Sequence, residues 1–209
     1  MMEWLANIKF EYIIAAVVVL FIARLVLGKY KTPIAKSAAE IAESALIAIV
    51  LVFLIIRPFI VQAFYIPSGS MLPTLEVRDH ILVSKFIYRF HEPQRGDIIV
   101  FKAPAAISSY GQEQDFIKRL MGLPGDIIEV KDGAVYRNHK RLTEPYLMEP
   151  GRIEYEREPI KVPRGMLFVM GDNRNDSNDS HEWGPLDRKR VIGKAMVRFW
   201  PLNRVGLVR

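Results

Sequence analysis

Two long apolar segments in the first third of the sequence constrain this 209-residue chain more than any other feature. They run from Phe10 to Leu27 and from Ala38 to Ile66. The uncharged core of the first is short, but charged residues near its ends can reach the membrane interfaces, which gives the roughly 18–20 residues that a span needs. We therefore predict two transmembrane helices. The competing interpretations are a cleavable signal peptide for the first segment and a buried core helix for the second.

A short basic loop, Gly28–Lys36, separates the two segments and predicts their orientation. Positively charged loops stay in the cytoplasm, so the amino terminus should face outward and the chain should leave the second helix on the outer side. The predicted domains are residues 1–36 for the first helix and the basic loop, 37–63 for the second helix, and 64–209 for an extracytoplasmic domain.

The remaining two thirds of the sequence predict a mainly β domain. Short β-branched runs are bounded by Pro, Gly and charged residues, and no sustained helical period follows residue 75. The turn Lys131-Asp132-Gly133 is typical of a hairpin. The predicted strands are Ile81–Val83, Asp97–Phe101, Phe116–Met121, Ile127–Val130, Ala134–Tyr136, Ile160–Val162, Met166–Met170 and Val191–Phe199.

Composition excludes several classes of function. The chain has no cysteine, which rules out disulfide, iron–sulfur and thiolate sites. Its net charge of +6 is modest and the basic residues are scattered, a pattern less typical of nucleic-acid binding than of contact with anionic lipid. The four histidines lack metal-ligand spacing, and the polar stretch 171–180 does not fit a calcium loop, so we expect no metal site.

Two serines lie in a constrained turn directly after the second apolar segment. Pro67 and Pro73 restrict the backbone on either side of Ser68 and Ser70, and Gly69 permits conformations that a side chain would forbid. A hydroxyl held in this way can be a nucleophile, provided that a base takes its proton. The alternative is a plain turn that joins a helix to the next domain.

Lys118 is a candidate for that base because it lies in an apolar strand. Phe116, Lys118 and Leu120 share one face of the predicted strand. A lysine on an inward face loses hydration, which lowers its pKa and lets the neutral amine accept a proton. The alternative is an exposed lysine that protects an edge strand from aggregation.

Taken together, these stretches resemble type I signal peptidase, the membrane-bound serine/lysine peptidase that removes signal peptides from exported proteins. The resemblance implies a coiled β-sheet catalytic domain with a small β insertion at about residues 126–163, preceded by two transmembrane helices. It also implies a multi-pass protein of the cell membrane with its catalytic domain on the extracytoplasmic side. The matching stretches are Phe64–Leu75, Arg95–Phe101, Phe116–Asp126 and Gly171–Ser180.

The resemblance assigns a chemical role to three residues. Ser70 would be the nucleophile and Lys118 its general base, while Ser68 and the Ser70 backbone N–H would bind the oxyanion. No cofactor is implied; the partners would be signal peptides of exported pre-proteins, the lipid bilayer and the protein-export machinery, with no nucleic acid. The pockets for small substrate residues would be lined by Phe64, Ile66, Ile98, Val100 and Ile117.

The resemblance also implies that polar residues support the site. Ser177 would hold the lysine amine, Asp172 would pair with Arg119, and Asp179 would be a second structural acid. The last matching stretch ends in Asp179-Ser180. Many members of the family have Arg directly after this Asp-Ser pair, whereas this chain has His181. A serine–histidine mechanism therefore has to be tested.

Two other functions stay open at the level of sequence. A related Ser/Lys peptidase could process itself or one dedicated membrane partner, and a non-enzymatic, membrane-tethered β-domain could bind exported proteins. Hydrolysis of a pre-protein by the parent and by Ser70→Ala would separate these possibilities.

The basic loop yields a prediction of topology. A reporter that is active only outside the cytoplasm, fused after Arg209, should be active because the chain should cross the membrane twice. Activity of a cytoplasm-only reporter at the same position would contradict the predicted orientation.

Overall fold

The computed structural model describes residues 10–30, 32–52, 61–104, 107, 111–148 and 152–209. The chain divides into two compact units, Met1–Gln62 and Ala63–Arg209.

The first unit contains two helices, α1 (Phe10–Leu27) and α2 (Pro33–Val50). Thr32 caps α2, since its hydroxyl accepts a hydrogen bond from the Ala35 N–H at 3.3 Å. The two helices are joined by an ion pair between Arg24 and Glu43, 3.0 Å apart. Within the described ranges, no helix has both the length and the apolar character needed to cross a membrane.

The predicted second helix, residues 37–63, differs from the structure at its carboxyl end. Residues 61–65 form strand β1 (Val61–Tyr65), which pairs with β2 (His80–Ser84). Val61, Phe64 and Tyr65 are β-branched or aromatic, and such side chains favour a strand once a partner supplies backbone hydrogen bonds. Residues 53–60 of the predicted helix lie outside the described residues.

The second unit is mainly β, as the sequence predicted. Each predicted strand overlaps an observed one. Besides β1 and β2, the strands of its larger sheet are β3 (Ile98–Ala103), β4 (Gln114–Gly122), β9 (Met166–Met170), β10 (Leu186–Asp187), β11 (Val191–Trp200) and β12 (Gly206–Leu207). These eight strands lie in the order β1-β2-β11-β3-β4-β9-β10, with β12 paired to β11.

A separate four-stranded sheet lies between β4 and β9 in the sequence, inside the range expected for the insertion. Its strand order is β7-β6-β5-β8. The turn at Asp132-Gly133 joins the first two strands in the sequence, as predicted, and both residues have positive φ. The four strands are β5 (Ile127–Lys131), β6 (Ala134–Arg137), β7 (Lys140–Arg141) and β8 (Arg157–Lys161).

Helical structure in this unit is limited to single turns in the part of the chain that the structure describes. The one short α-helix is α3 (Ser180–Trp183), which follows β9, and three-residue 3-10 turns lie at Ile87–Arg89, Arg188–Arg190 and Leu202–Arg204.

Three apolar clusters form the core of the second unit. Cluster A packs β1, β2, β3 and β11 against the serine-bearing turn, cluster B lies between the two sheets, and cluster C lies under β3, β4 and β9. The buried members of cluster A are Ile66, Met71, Leu75, Ile81, Val83, Ile98, Val100 and Ala195. Those of cluster B are Met121, Ile128, Val130, Val135, Ile153, Val162, Phe168 and Met170. Those of cluster C are Ile99, Phe101, Ala103, Leu120, Leu167, Val169 and Leu186.

Asp126 fixes the junction between the two sheets. Its carboxylate accepts hydrogen bonds from both Arg95 Nε and Nη2, at 2.8 and 2.9 Å, and from the Leu123 N–H and Asn138 Nδ2, each at 2.9 Å. Burial alone would raise the pKa of Asp126, but these hydrogen bonds overcome it and lower the pKa to about 2. The ionised form is thus the one that stabilises the fold.

We expect Asp126→Asn to destabilise the chain at pH 7 by about 1–2 kcal/mol in denaturant unfolding. The folded-state pKa lies below the unfolded value, so the stabilisation is present above about pH 4 and is lost as the pH falls to about 2. The difference between variant and parent should therefore shrink over that interval. Asp132→Asn, at an exposed turn, is the control, and an equal loss in both variants would contradict the role of Asp126.

Candidate active site

Ser70 lies in a turn that the core holds in place. The Leu72 N–H donates to the Gly69 carbonyl at 3.1 Å, and the Leu75 N–H donates to the Met71 carbonyl at 2.9 Å. Met71 and Leu75 are fully buried in cluster A, and burial of each stabilises the turn by roughly 1.5–3 kcal/mol. The half-buried Ser70, directly before Met71, cannot move without disturbing that packing.

Lys118 lies on β4, an interior strand of the large sheet, and reaches the Ser70 hydroxyl. Its Nζ is 2.6 Å from Ser70 Oγ, within hydrogen-bonding distance. The strand register sets Lys118 opposite Ile99 of β3, and the residue is only 4% exposed. This burial excludes the alternative of an exposed edge-strand lysine.

The surroundings of Lys118 shift the amine toward its neutral form. Burial lowers the pKa of Lys118 from its ordinary 10.5 to about 8, although the carboxylates of Asp179, Asp172 and Asp176 favour the charged form. The ring of Phe116, with its centroid 5.6 Å from Nζ, contributes to the apolar wall. The amine can thus accept a proton under mildly alkaline conditions.

The expected oxyanion donors are free to bind a substrate. Ser68 is exposed, and no hydrogen bond engages its hydroxyl or the Ser70 backbone N–H among the described residues. Both donors belong to the same turn as the Ser70 hydroxyl. They can therefore meet a negative oxygen that forms beside Ser70.

The segment after β9, residues 171–183, packs directly against the serine turn. Asn173 donates its backbone N–H to the Ser70 carbonyl at 3.1 Å and its side-chain amide to the Gly69 carbonyl at 3.2 Å. Gly171 comes so close that a Cβ there would lie 2.4 Å from the Ser70 carbonyl oxygen. We call residues 171–183 the β9–α3 segment.

Asp172 and Arg119 form a buried ion pair below the turn. Two guanidinium nitrogens donate to the two carboxylate oxygens at 2.7 and 2.6 Å, and both side chains are at most 3% exposed. Thr74 of the serine turn donates to Asp172 at 2.5 Å. Because an unpaired buried charge costs about 3–5 kcal/mol, loss of either partner should loosen the turn and the β9–α3 segment together.

The structure differs from expectation at Ser177. The Ser177 hydroxyl donates to Asp179 at 2.6 Å, and no hydrogen bond joins it to Lys118 in the described part of the chain. The carboxylate two residues away is a stronger acceptor than an amine. Ser177 therefore binds Asp179, whose charge acts on Lys118, and it does not bind the amine directly.

Asp179 has several partners, including His181. Its carboxylate accepts hydrogen bonds from the Gly171 N–H at 2.8 Å and from the His181 N–H at 3.0 Å, and it lies 2.8 Å from His181 Nδ1. No hydrogen bond connects His181 with Ser70 among the described residues. The geometry thus gives His181 a place in the support of the segment, with Lys118 next to the serine.

The five residues expected to line the substrate pockets all lie in cluster A. Ile66, Ile98 and Val100 are each 2% exposed, whereas Phe64 and Ile117 are half-buried. Val100 is directly opposite Ile117 in the strand register. Of these five, only Phe64 and Ile117 offer partly accessible surface, and they pack against the other three, which are buried.

Sequence reasoning missed four residues that hold the site: Thr74, Asn173, Glu144 and Arg174. Thr74, Asn173 and Arg174 lie inside stretches that the sequence singled out, so their polar side chains were an available signal. Glu144 lies between β7 and β8 and pairs with Arg174 across a large sequence separation. A lone acid in a charged stretch gives no sign of such a contact.

This arrangement contains the parts that acyl transfer requires. Those parts are a hydroxyl nucleophile, an amine that is neutral near its working pH, and free donors for an oxyanion. The Ser70 hydroxyl, the Lys118 amine and the Ser68 hydroxyl are placed to fill these roles.

Comparisons with known proteins lead to the same class of enzyme. Residues 38–200 match the family described as signal peptidase, peptidase S26. The chain is 43% identical to a probable signal peptidase I of Synechocystis sp., over 86% of this chain and 81% of that protein. It is 49% identical to a signal peptidase I of Leptolyngbya laminosa, over 72% and 74%, and 38% identical to one of Bacillus licheniformis, over 81% and 92%.

We expect Gly171→Ala to reduce hydrolytic turnover by about a hundredfold, because a small displacement of reacting groups has effects of that size. The new Cβ would meet the Ser70 carbonyl oxygen at 2.4 Å and Ser177 Oγ at 2.3 Å, so the serine turn must shift. The control is Gly206→Ala, where a Cβ meets nothing within 4 Å. Equal turnover of both variants would contradict the close packing at Gly171.

Proposed function

Because the chain belongs to the signal peptidase family, peptidase S26, we propose that it is a membrane-bound serine endopeptidase that cleaves signal peptides from exported pre-proteins. Ser70 is the nucleophile and Lys118 is its general base. The observation that carries this proposal is the 2.6 Å distance between the buried Lys118 Nζ and Ser70 Oγ.

The first half of the reaction forms an acyl-enzyme. Neutral Lys118 takes the hydroxyl proton as Ser70 Oγ attacks the carbonyl carbon of the scissile peptide bond. The resulting oxyanion accepts hydrogen bonds from the Ser70 N–H and the Ser68 hydroxyl. Lys118 then gives its proton to the leaving amine, the C–N bond breaks, and the mature protein departs with a new amino terminus.

The second half of the reaction releases the signal peptide. Lys118, neutral again, takes a proton from a water molecule, and the oxygen of that water attacks the ester carbonyl. The ester bond to Ser70 breaks and its oxygen regains the proton from Lys118. A pKa of about 8 suits both halves, since the amine must accept and return a proton in each.

Asp172, Arg119, Ser177 and Asp179 support the site without touching the substrate. The Asp172–Arg119 pair holds the serine turn against β4 through Thr74. Ser177 acts through Asp179, whose carboxylate lies close enough to Lys118 to moderate the effect of burial on its pKa.

The apolar surface beside the serine selects substrates with small side chains. Phe64 and Ile117 form its accessible part, and the buried Ile66, Ile98 and Val100, against which they pack, cannot recede. Small residues such as Ala or Gly fit there, whereas a large ring would clash.

The cell membrane is the proposed location, with the catalytic domain on the extracytoplasmic side. The apolar segments and the basic Gly28–Lys36 loop support a multi-pass anchor of two helices. Signal peptides carry an apolar stretch that partitions into a bilayer, so an anchored peptidase meets its substrate at the membrane, where the export machinery delivers it.

Variants of the two candidate bases test the mechanism. Lys118→Ala should be as inactive as Ser70→Ala because the two residues act as a unit. Lys118→Arg should also fail, since a guanidinium stays protonated. In the parent, activity should rise with pH through about 8 as the amine becomes neutral.

His181→Ala is the matched control for that experiment. In this variant, activity should still rise with pH through about 8, with at most a loss of stability in the β9–α3 segment. An inactive but folded His181→Ala, together with an active Lys118→Ala, would refute the proposed base. A parental activity that rises with pH through about 6.5, the ordinary pKa of histidine, would also refute it.

Cleavage specificity is the test of the substrate surface. Counting back from the scissile bond, a signal peptide with Ala at positions −1 and −3 should be cut. One with Phe at −1 should not be cut, because a ring at that position clashes with cluster A. Equal rates for both peptides would refute the assignment of the pocket residues.

A further inference from the structure

The connection between strands β7 and β8 contacts the β9–α3 segment through a buried ion pair. Arg174 donates from Nη2 to Glu144 Oε1 at 2.7 Å and from Nη1 to Glu144 Oε2 at 3.0 Å. The two side chains are 4% and 6% exposed. Tyr146 donates its hydroxyl to the same Glu144 oxygen at 2.7 Å. The bidentate geometry fixes both the position and the plane of the guanidinium.

Arg174, fixed in this way, also binds the backbone beside the proposed catalytic serine. Its remaining donor, Nε, is 2.9 Å from the Gly171 carbonyl oxygen. At Gly171 there is no space for a Cβ next to the Ser70 carbonyl oxygen, and the Gly171 N–H donates to Asp179. A continuous set of contacts therefore runs from Glu144 to the serine turn on one side and to the carboxylate near Lys118 on the other.

Two further contacts join the same pieces of chain. The Asn175 side chain accepts a hydrogen bond from the Glu154 N–H at 2.9 Å and donates to the Arg152 carbonyl at 2.8 Å. The His181 ring is stacked on Tyr155, with centroids 4.0 Å apart and an interplanar angle of 16°. The β9–α3 segment is thus held at Arg174, Asn175 and His181 by a connection that contributes no reacting group.

Burial of the ion pair points to a role beyond stability. A buried pair is often no more stabilising than two apolar side chains of similar volume. Two apolar side chains, however, would offer no hydrogen-bond donor to the Gly171 carbonyl and no planar group held in a fixed orientation. What the ion pair adds is a defined position for the Gly171 backbone.

We propose that Glu144 is a positioning residue for the Ser70–Lys118 reaction, acting through Arg174 and the Gly171 backbone. This inference rests on the proposed function of Ser70 and Lys118. It assigns a part in catalysis to the connection between β7 and β8, which contains none of the site residues predicted from the sequence. Loss of Glu144 should lower kcat much more than it raises KM, because it moves the reacting groups and leaves cluster A in place.

The test compares three variants with a control on the same sheet. Glu144→Gln removes the charge and keeps the shape, and Tyr146→Phe removes a single donor to Glu144. The double variant Glu144→Leu/Arg174→Met removes both buried charges and also the donor to Gly171. The control is Glu158→Gln, an exposed carboxylate on β8. For each full-length protein, kcat, KM and the thermal unfolding midpoint are measured with one pre-protein substrate.

We expect kcat to fall about tenfold or more in Glu144→Gln and several-fold in Tyr146→Phe, with KM within about threefold of the parent. The double variant should regain a midpoint close to that of the parent yet keep the low kcat. This result separates positioning from stability, and it decides the question even where Glu144→Gln fails to fold. The control should keep the parental kcat.

Parental kcat in a folded double variant would overturn the proposal, as would parental kcat in folded Glu144→Gln. If the double variant also fails to fold, Tyr146→Phe decides, and parental kcat there overturns the proposal. Ser70→Ala and Lys118→Ala are measured alongside. Should those two retain activity, the proposed function fails; should they be inactive while the Glu144 variants are fully active, only the positioning role fails.

Discussion

Burial of the Lys118 amine beside the Ser70 hydroxyl is the interaction on which the rest of this structure depends. A charged ammonium in an apolar interior is costly, and burial shifts the amine toward its neutral form. The same burial places an amine with a lowered pKa 2.6 Å from the serine hydroxyl. The cost of enclosing Lys118 and its proposed role as the base thus have one cause, which is its inward position on β4.

The surrounding structure keeps this pair in register without adding another reacting group. Cluster A fixes the turn that carries Ser70, and the large sheet fixes β4. The β9–α3 segment lies against the serine turn. The ion pair between Glu144 and Arg174 joins this segment to the connection between β7 and β8. Acyl transfer is sensitive to small displacements, so polar contacts remote from the serine can matter as much as those beside it.

Local pattern predicted the strands well and the contacts between distant segments only in part. A short apolar run was enough to find β4, and the Pro-Gly-Ser composition was enough to find the turn at Ser70. The same run left open whether Lys118 faces inward or lies exposed on an edge strand, and its burial in the structure decides between the two. The end of the second helix was wrong because an apolar run does not distinguish helix from strand, and Val61–Tyr65 pairs with β2. Ser177 donates to Asp179 and Glu144 binds Arg174 because the fold brings them together, which no spacing in the sequence indicates.

The most direct test of this account is the titration of the Lys118 amine itself. With isotope-labelled lysine in the full-length protein, nuclear magnetic resonance can follow the side-chain signal as the pH rises, and Lys118→Met identifies it by its absence. The account predicts a midpoint near 8, where burial lowers the pKa. A midpoint close to 10.5, the ordinary value for lysine, would mean that the amine stays charged through the mildly alkaline range and would contradict its role as the base.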